Sequence, residues 1–159
     1  PVTRAQYILS LILSTVIIGI ASSLLVFLLA FPVLGAALSV TLQGEILVGA
    51  ALFLGTMFFG AFAIALSVGL RSSETFQIVS TFAFFVFLFT STVFFPSDTA
   101  PVPIQIVSLL NPLTYATDLL RAGLFDAITS KTYIELAVLA VEAAAMFVVA
   151  LIAFRRIRV

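Results

Sequence analysis

The sequence predicts an all-α fold, a polytopic helical membrane protein with four transmembrane helices and an outer re-entrant helical hairpin. Three observations predict it. The 159 residues are 63% hydrophobic and only 9% charged, with a mean hydropathy of +1.33, whereas soluble domains carry about a quarter charged residues. Four apolar stretches, three of them uncharged, are long enough to cross a hydrocarbon core, which takes about 20 apolar residues. One proline-rich segment, 96–131, interrupts that pattern and gathers four of the six prolines.

The first span is expected from about Tyr7 to Phe31, uncharged between Arg4 and Glu45, with Pro32 and Gly35 marking its end. The second runs from about Ile46 to Leu70 and stops at Arg71-Ser72-Ser73-Glu74. The third, about Phe76 to Phe95, is bulky all round with phenylalanine, which suits either a lipid-facing helix or an aromatic-lined pathway. The fourth, about Ile134 to Phe154, holds Glu142 in its interior and ends in Arg155-Arg156-Ile157-Arg158. The whole chain, 1–159, reads as a single transmembrane domain.

Within 96–131, a short apolar piece covers Ile104 to Leu110, and Asn111-Pro112 opens a second helical piece reaching about Phe125. Asn is a good N-cap and Pro suits the first helical position. Leu113, Ala116, Leu120 and Leu124 share one face, and Thr114, Asp118 and Arg121 share another. Pieces of roughly seven to fifteen residues reach only about 10 to 22 Å at 1.5 Å per residue, so neither spans a bilayer. The pair is interfacial or re-entrant, and a re-entrant turn needs protein or water to satisfy its backbone.

Lys and Arg in short flanks are retained on the cytoplasmic side. Arg4, Arg71, Arg155, Arg156 and Arg158 fall on one side of the four crossings, and Arg121 and Lys131 on the other. This count places both termini and the Arg71 turn inside and the hairpin outside. The formal net charge of zero then resolves into a basic inside, an acidic outside and one intramembrane acid. It also offers no basic field for nucleic acid, so no nucleic-acid partner is expected.

Small residues let helices approach closely in lipid. The second span has Ala51 and Gly55, and Ala61, Ala65 and Gly69, at four-residue spacing, with Gly49 and Gly60 as further thin places; Ala140 and Ala144, and Ser10 and Ser14, repeat that spacing. Packing within one bundle and a subunit or substrate seam both fit. Glu142 is expected about 12 Å from the outer end of its helix, either hydrogen-bonded to a neighbouring Ser or Thr or lining a pathway for a cationic or polar substrate. Glu45 fits a cap at the start of the second span. Asp118 and Arg121, three apart, fit an ion pair.

With no Cys and no His, disulfides, familiar zinc clusters and imidazole or thiol nucleophiles are excluded. The only lysine is Lys131, so no phosphate-cradling Gly-x-x-x-x-Gly-Lys loop exists. No catalytic residue, cofactor or metal is expected, and the paired-Asp chemistry of an intramembrane hydrolase fits poorly because Asp98, Asp118 and Asp126 all lie in the outer segment.

At Asn111-Pro112-Leu113-Thr114-Tyr115-Ala116-Thr117-Asp118-Leu119-Leu120-Arg121 the sequence resembles the ABC type-2 transporter permeases, the membrane subunits of ATP-driven exporters. The family has an Asn-Pro-Leu-Thr-Tyr stretch followed six residues later by Arg, with prolines upstream as at Pro101 and Pro103; Ile104 stands where Trp is often found. Pro1-Val2-Thr3-Arg4 looks like the family's cytoplasmic lead into its third span, so the four spans resemble its third to sixth and the chain its C-terminal portion. The resemblance implies a dimer of permeases, homo- or heteromeric, in the plasma or inner membrane, surrounded by membrane lipid and driven by a separate ATP-binding cassette subunit. It implies alternating access with release beneath the hairpins, an outer gate shaped by Asn111, Pro112, Tyr115, Asp118 and Arg121, and ATPase coupling near Arg4, Arg71 and Glu74. Permeases of this type carry drugs, lipids, polysaccharides or peptides. The alternative is an ATP-independent carrier or channel coupled through Glu142, although residues 1–75 and 76–159 show no internal similarity of the kind transporter repeats give. A passive membrane anchor explains the composition but not the Asn-Pro hairpin.

Overall fold

The computed structural model describes residues 4–34, 41–70, 72–94, 101–125 and 127–155. Among these the chain forms six helices: α1 (Arg4–Leu34), α2 (Leu42–Gly69), α3 (Ser73–Thr90), α4 (Val102–Ser108), α5 (Pro112–Leu124) and α6 (Ser130–Arg155). Stretches of α1, α2, α3 and α6 are long and apolar enough to cross a membrane: Leu9–Leu29, Leu42–Gly69, Ser73–Thr90 and Ser130–Phe154. The four expected spans and the two short helices between the last two are therefore present in the expected order.

Several helix ends move. α1 runs through Pro32 to Leu34 instead of stopping before it; a proline in the last turn removes one N–H bond, and two further residues can still follow. α2 begins at Leu42, capped by Thr41, whose hydroxyl accepts from the Gly44 amide at 3.2 Å. Glu45 is thus an exposed residue of the first turn and not the cap. α3 starts at Ser73, with the Ser72 hydroxyl accepting from the Thr75 amide at 3.1 Å, and ends at Thr90, five residues before the expected Phe95. α6 starts at Ser130, four residues early.

α2 is the spine. It packs against α1, α3, α5 and α6, and its glycines and alanines are the reason it can. One apolar cluster joins Leu47 and Ala51 of α2 to Ala116, Leu119 and Ala122 of α5 and Leu139 of α6. A second joins Ala61 of α2 to Ile12 and Val16 of α1 and Ala150 of α6. Since Leu47 meets Leu139 and Ala61 meets Ala150, α2 and α6 run in the same direction. Gly19 lies against Thr56, and Gly60 against Thr15, so α1 runs opposite to them.

These contacts sort the small residues by face. Ala51, Gly55, Gly60 and Ala61 are buried in the bundle, whereas Cβ atoms at Gly49 and Gly69 would meet nothing within 4 Å. In α6 the packed positions are Leu139, Ala143 and Ala150; Ala144 is exposed and Ala140 only half-buried, so this pair does not carry the packing within the described bundle. Ser10 and Ser14 are exposed, Ser14 bonding back to the Ser10 carbonyl, and Ile12 and Val16 make the contact instead. A helix that is apolar all round does not announce its inner face, so spacing alone does not tell which small residues pack within the bundle.

α3 is the outlying helix, with no buried residue. Its Phe87 ring lies edge-on to Phe58, Phe59 and Phe62 of α2, with centroids at 6.3, 5.5 and 5.5 Å, a favourable aromatic geometry. The remaining phenylalanines of this helix mostly face outward, as Phe82 and Phe89 do.

The tightest contact is backbone on backbone. A Cβ on Gly44 would run into the Gly123 carbonyl oxygen, and one on Gly123 would sit 2.7 Å from the Gly44 carbonyl oxygen and 2.8 Å from Val48 Cγ2. Gly55 faces Ala116 one contact further along, so α5 lies antiparallel to α2 with its C-terminal end beside the start of α2. Gly123→Ala is expected to destabilise the protein by about 1 to 3 kcal/mol through overpacking, read as a lowered melting temperature of the intact permease. Gly49→Ala, in open space, is expected to be neutral or slightly stabilising, because alanine is the better helix former.

Candidate functional site

The hairpin lies at the end of the bundle where α2 and α6 begin. α5 has 13 residues, about 20 Å at 1.5 Å per residue, against a hydrocarbon core of about 30 Å. Its C-terminus is level with Gly44 and its N-terminus lies further along α2; the turn joining α4 to α5 runs between the buried Ser108 and Asn111 with Leu109 and Leu110 exposed, and its backbone groups need partners.

Asn111 supplies them. It caps α5 as the sequence implies, its Oδ1 accepting from the Leu113 amide at 3.0 Å, with Pro112 in the first turn. Its Nδ2 donates to the Phe87 carbonyl at 2.7 Å and to the Thr90 hydroxyl at 2.9 Å, both in the last turn of α3. One amide thus satisfies an orphan donor at a helix start and an orphan acceptor at another helix end. Asn111 is 2% exposed, so neither need could be met by water. Tyr115 closes the other side of the turn by donating to the Leu109 carbonyl at 2.5 Å.

The face of α5 that carries Thr114, Asp118 and Arg121 meets residues 91–94, just past α3. The Thr92 hydroxyl donates to Asp118 Oδ1 at 2.8 Å and lies 3.5 Å from the Thr114 carbonyl. Arg121 donates from one terminal nitrogen to the Val93 carbonyl at 3.0 Å and sits 3.7 Å from Asp118. The expected Asp118–Arg121 pair therefore exists but is loose and partly exposed, and such pairs contribute little. Their stronger bonds are to the end of α3. All five candidate gate residues, Asn111, Pro112, Tyr115, Asp118 and Arg121, fall on this one element.

Glu142 stands apart. Counted from Ser130 it is twelve residues into a 26-residue helix, about 18 Å at 1.5 Å per residue, deeper than the 12 Å expected from a start at Ile134. Its Oε2 is buried without a hydrogen-bond partner. Among coupling candidates, Arg4 is the first residue of α1 and Glu74 is in the exposed first turn of α3; both helix starts are at the end away from the hairpin. Arg71 lies outside the described residues, as do Asp98, Asp126, Arg156 and Arg158, and of Arg4 and Arg155 only the backbone is described.

Sequence reasoning missed Gly44, Gly123, Thr90, Thr92 and the Val93 carbonyl. The polar run Thr90-Ser91-Thr92 at the end of a phenylalanine-rich span was the available signal. Among the described residues no group of three His, Cys, Asp or Glu is arranged to hold a metal.

A family model described as ABC-2 type transporter matches residues 1–125. The chain belongs to this family, as the membrane domain of an ABC transporter. No curated protein matches, and no solved structure matches.

Two substitutions test the reversal. Asn111→Asp keeps the cap on α5 but loses both donations to α3, and is expected to destabilise the protein by about 1 to 3 kcal/mol. Tyr115→Phe is expected to lose about 0.5 to 1.5 kcal/mol. Thermal melts of the purified permease check both. Coupling of Thr92→Val with Asp118→Asn in a double-mutant cycle should exceed that of either with Gly49→Ala.

Proposed function

We propose that this chain is the permease subunit of an ABC exporter, moving its substrate outward by alternating access as a separate ATPase subunit binds and hydrolyses ATP. The observation that carries the reading is the hairpin: the residues of the Asn-Pro-Leu-Thr-Tyr motif and its following Arg121 tie a re-entrant helix to the end of α3 while Gly44 and Gly123 tie it to α2. A displacement of α2 against α3 would therefore be felt at the hairpin, which is what an outer gate requires. In this reading the termini and the α2–α3 turn are cytoplasmic, where the basic flanks of the sequence gather, and Arg4, Arg71 and Glu74 face the ATPase. A second permease copy completes the path in the plasma or inner membrane. The subunit itself catalyses no reaction.

Co-expression with its ATPase should yield a complex, and export should fall to background when ATP is depleted. Glu74→Arg is expected to lower ATPase association or ATP-driven export about tenfold, a loss of roughly 1.4 kcal/mol in coupling. A permease that never binds an ATPase and transports without ATP would end this reading.

One observation favours a second reading, a carrier coupled through Glu142: its Oε2 is buried deep in α6 with no partner, and an intramembrane acid is costly unless it acts. Glu142→Gln separates the two. The exporter reading expects ATP-driven export to persist in that variant, whereas a Glu142-coupled carrier would lose transport and be indifferent to ATP throughout.

A further inference from the structure

Beside the hairpin a cavity of about 460 Å³ opens between three elements: residue Thr92 after α3, the C-terminal half of α5, and the segment leading into α6. Asp118 and Arg121 line one wall, Lys131 and Glu135 another, with hydroxyls from Thr92, Thr129 and Thr132 between. We propose that this cavity seats the zwitterionic headgroup of a membrane phospholipid, a phosphate joined by a short linker to an ammonium group.

The charge pattern carries the ligand class. Among the described residues two cations and two carboxylates line the cavity, so a purely anionic or purely cationic ligand would meet repulsion from these side chains as well as attraction. Arg121 has five N–H donors and directs one bond to Val93, with a loose 3.7 Å pairing to Asp118. It has donors left for phosphate, which guanidinium binds well. Asp118 takes the Thr92 and Arg121 contacts on Oδ1 alone, leaving Oδ2 to accept from an ammonium group. Lys131, paired to Glu135 at 3.1 Å, adds a second cation on the rim.

Depth argues for a lipid over a soluble ligand of the same chemistry. The apolar span of α3 ends at Thr90 and that of α6 begins at Ser130, so the cavity sits at the ends of two apolar stretches, where hydrocarbon is expected to give way to headgroups. From Phe94, next to the carbonyl that Arg121 holds, a stacked ladder leads down the outside of α3: Phe94 on Phe89 at 5.7 Å and Phe89 on Phe85 at 6.2 Å. All three rings are exposed, a surface for acyl chains directly below a polar seat.

The inference rests on the membrane placement of the spans and not on ATP-driven transport, so lipid retention and export can fail separately. Native mass spectrometry of the intact permease, purified in detergent, would compare phosphatidylethanolamine, phosphatidylglycerol and diacylglycerol with identical chains. Phosphatidylethanolamine should be retained about tenfold better than diacylglycerol and several-fold better than phosphatidylglycerol. Arg121→Gln should lower its retention about tenfold. Because Arg121 also holds residue 93, Lys131→Gln, at a side chain 74% exposed, is run beside it and should lower retention about threefold in a variant that still folds. Equal retention of diacylglycerol, equal retention of phosphatidylglycerol, or unchanged retention in folded Arg121→Gln and Lys131→Gln would each overturn the proposal. Displacement by equimolar free phosphoethanolamine would assign the cavity to a soluble ligand and overturn the lipid.

Discussion

A helix that starts inside a bundle presents amide N–H groups with nothing to bond, and a helix that stops there presents carbonyls in the same position. In this protein both problems occur at one place, where α5 begins beside the last turn of α3, and the Asn111 side chain answers both with one group. The Asn side-chain amide accepts through its oxygen and donates through its nitrogen. Aspartate offers only acceptors, and serine is too short to bridge two helix ends. Remove that amide and the start of α5 loses the group that joins it to the end of α3, so the hairpin, the cavity beside it and the proposed gate role all depend on it.

The second constraint is steric. Gly44 and Gly123 bring two helix backbones together where any Cβ would collide, and lipid supplies no apolar driving force that could compensate for a looser fit. The hairpin is thus held by polar bonds on the α3 side and by close packing on the α2 side. These two fastenings respond differently to motion: hydrogen bonds to a helix end tolerate small rotations, whereas a glycine contact is lost with the first ångström of separation. The hairpin would follow α2 as a rigid partner and pivot against α3.

Much of this was legible before any coordinates. The spans are visible because charge is excluded from about 20 residues at a time, and the hairpin because Asn111-Pro112 is a helix start in a segment too short to cross. The pairing of Asp118 with Arg121 followed from spacing, but their principal partners did not. Thr92 and Val93 lie 26 and 28 residues earlier in the chain, and a hydrogen bond to a backbone carbonyl leaves no mark on the identity of the residue that owns it. Gly123 was equally hidden, because a glycine near a helix end reads as a terminator and here serves a contact with a residue 79 positions away. The inner faces of α1 and α6 were not legible for a third reason: when every side of a helix is apolar, periodicity has nothing to contrast.

The manner in which the hairpin grips α3 has an evolutionary consequence. Asn111 and Arg121 take hold of the carbonyls of Phe87 and Val93, atoms that every amino acid possesses. The gripping side must keep its side chains, while at residue 93 the gripped side is free to drift among residues of similar shape, and residue 87 answers only to its aromatic neighbours on α2. Two permeases could therefore share this joint with little common sequence along α3, and lineage would be easier to trace in the short hairpin than in the long span it holds.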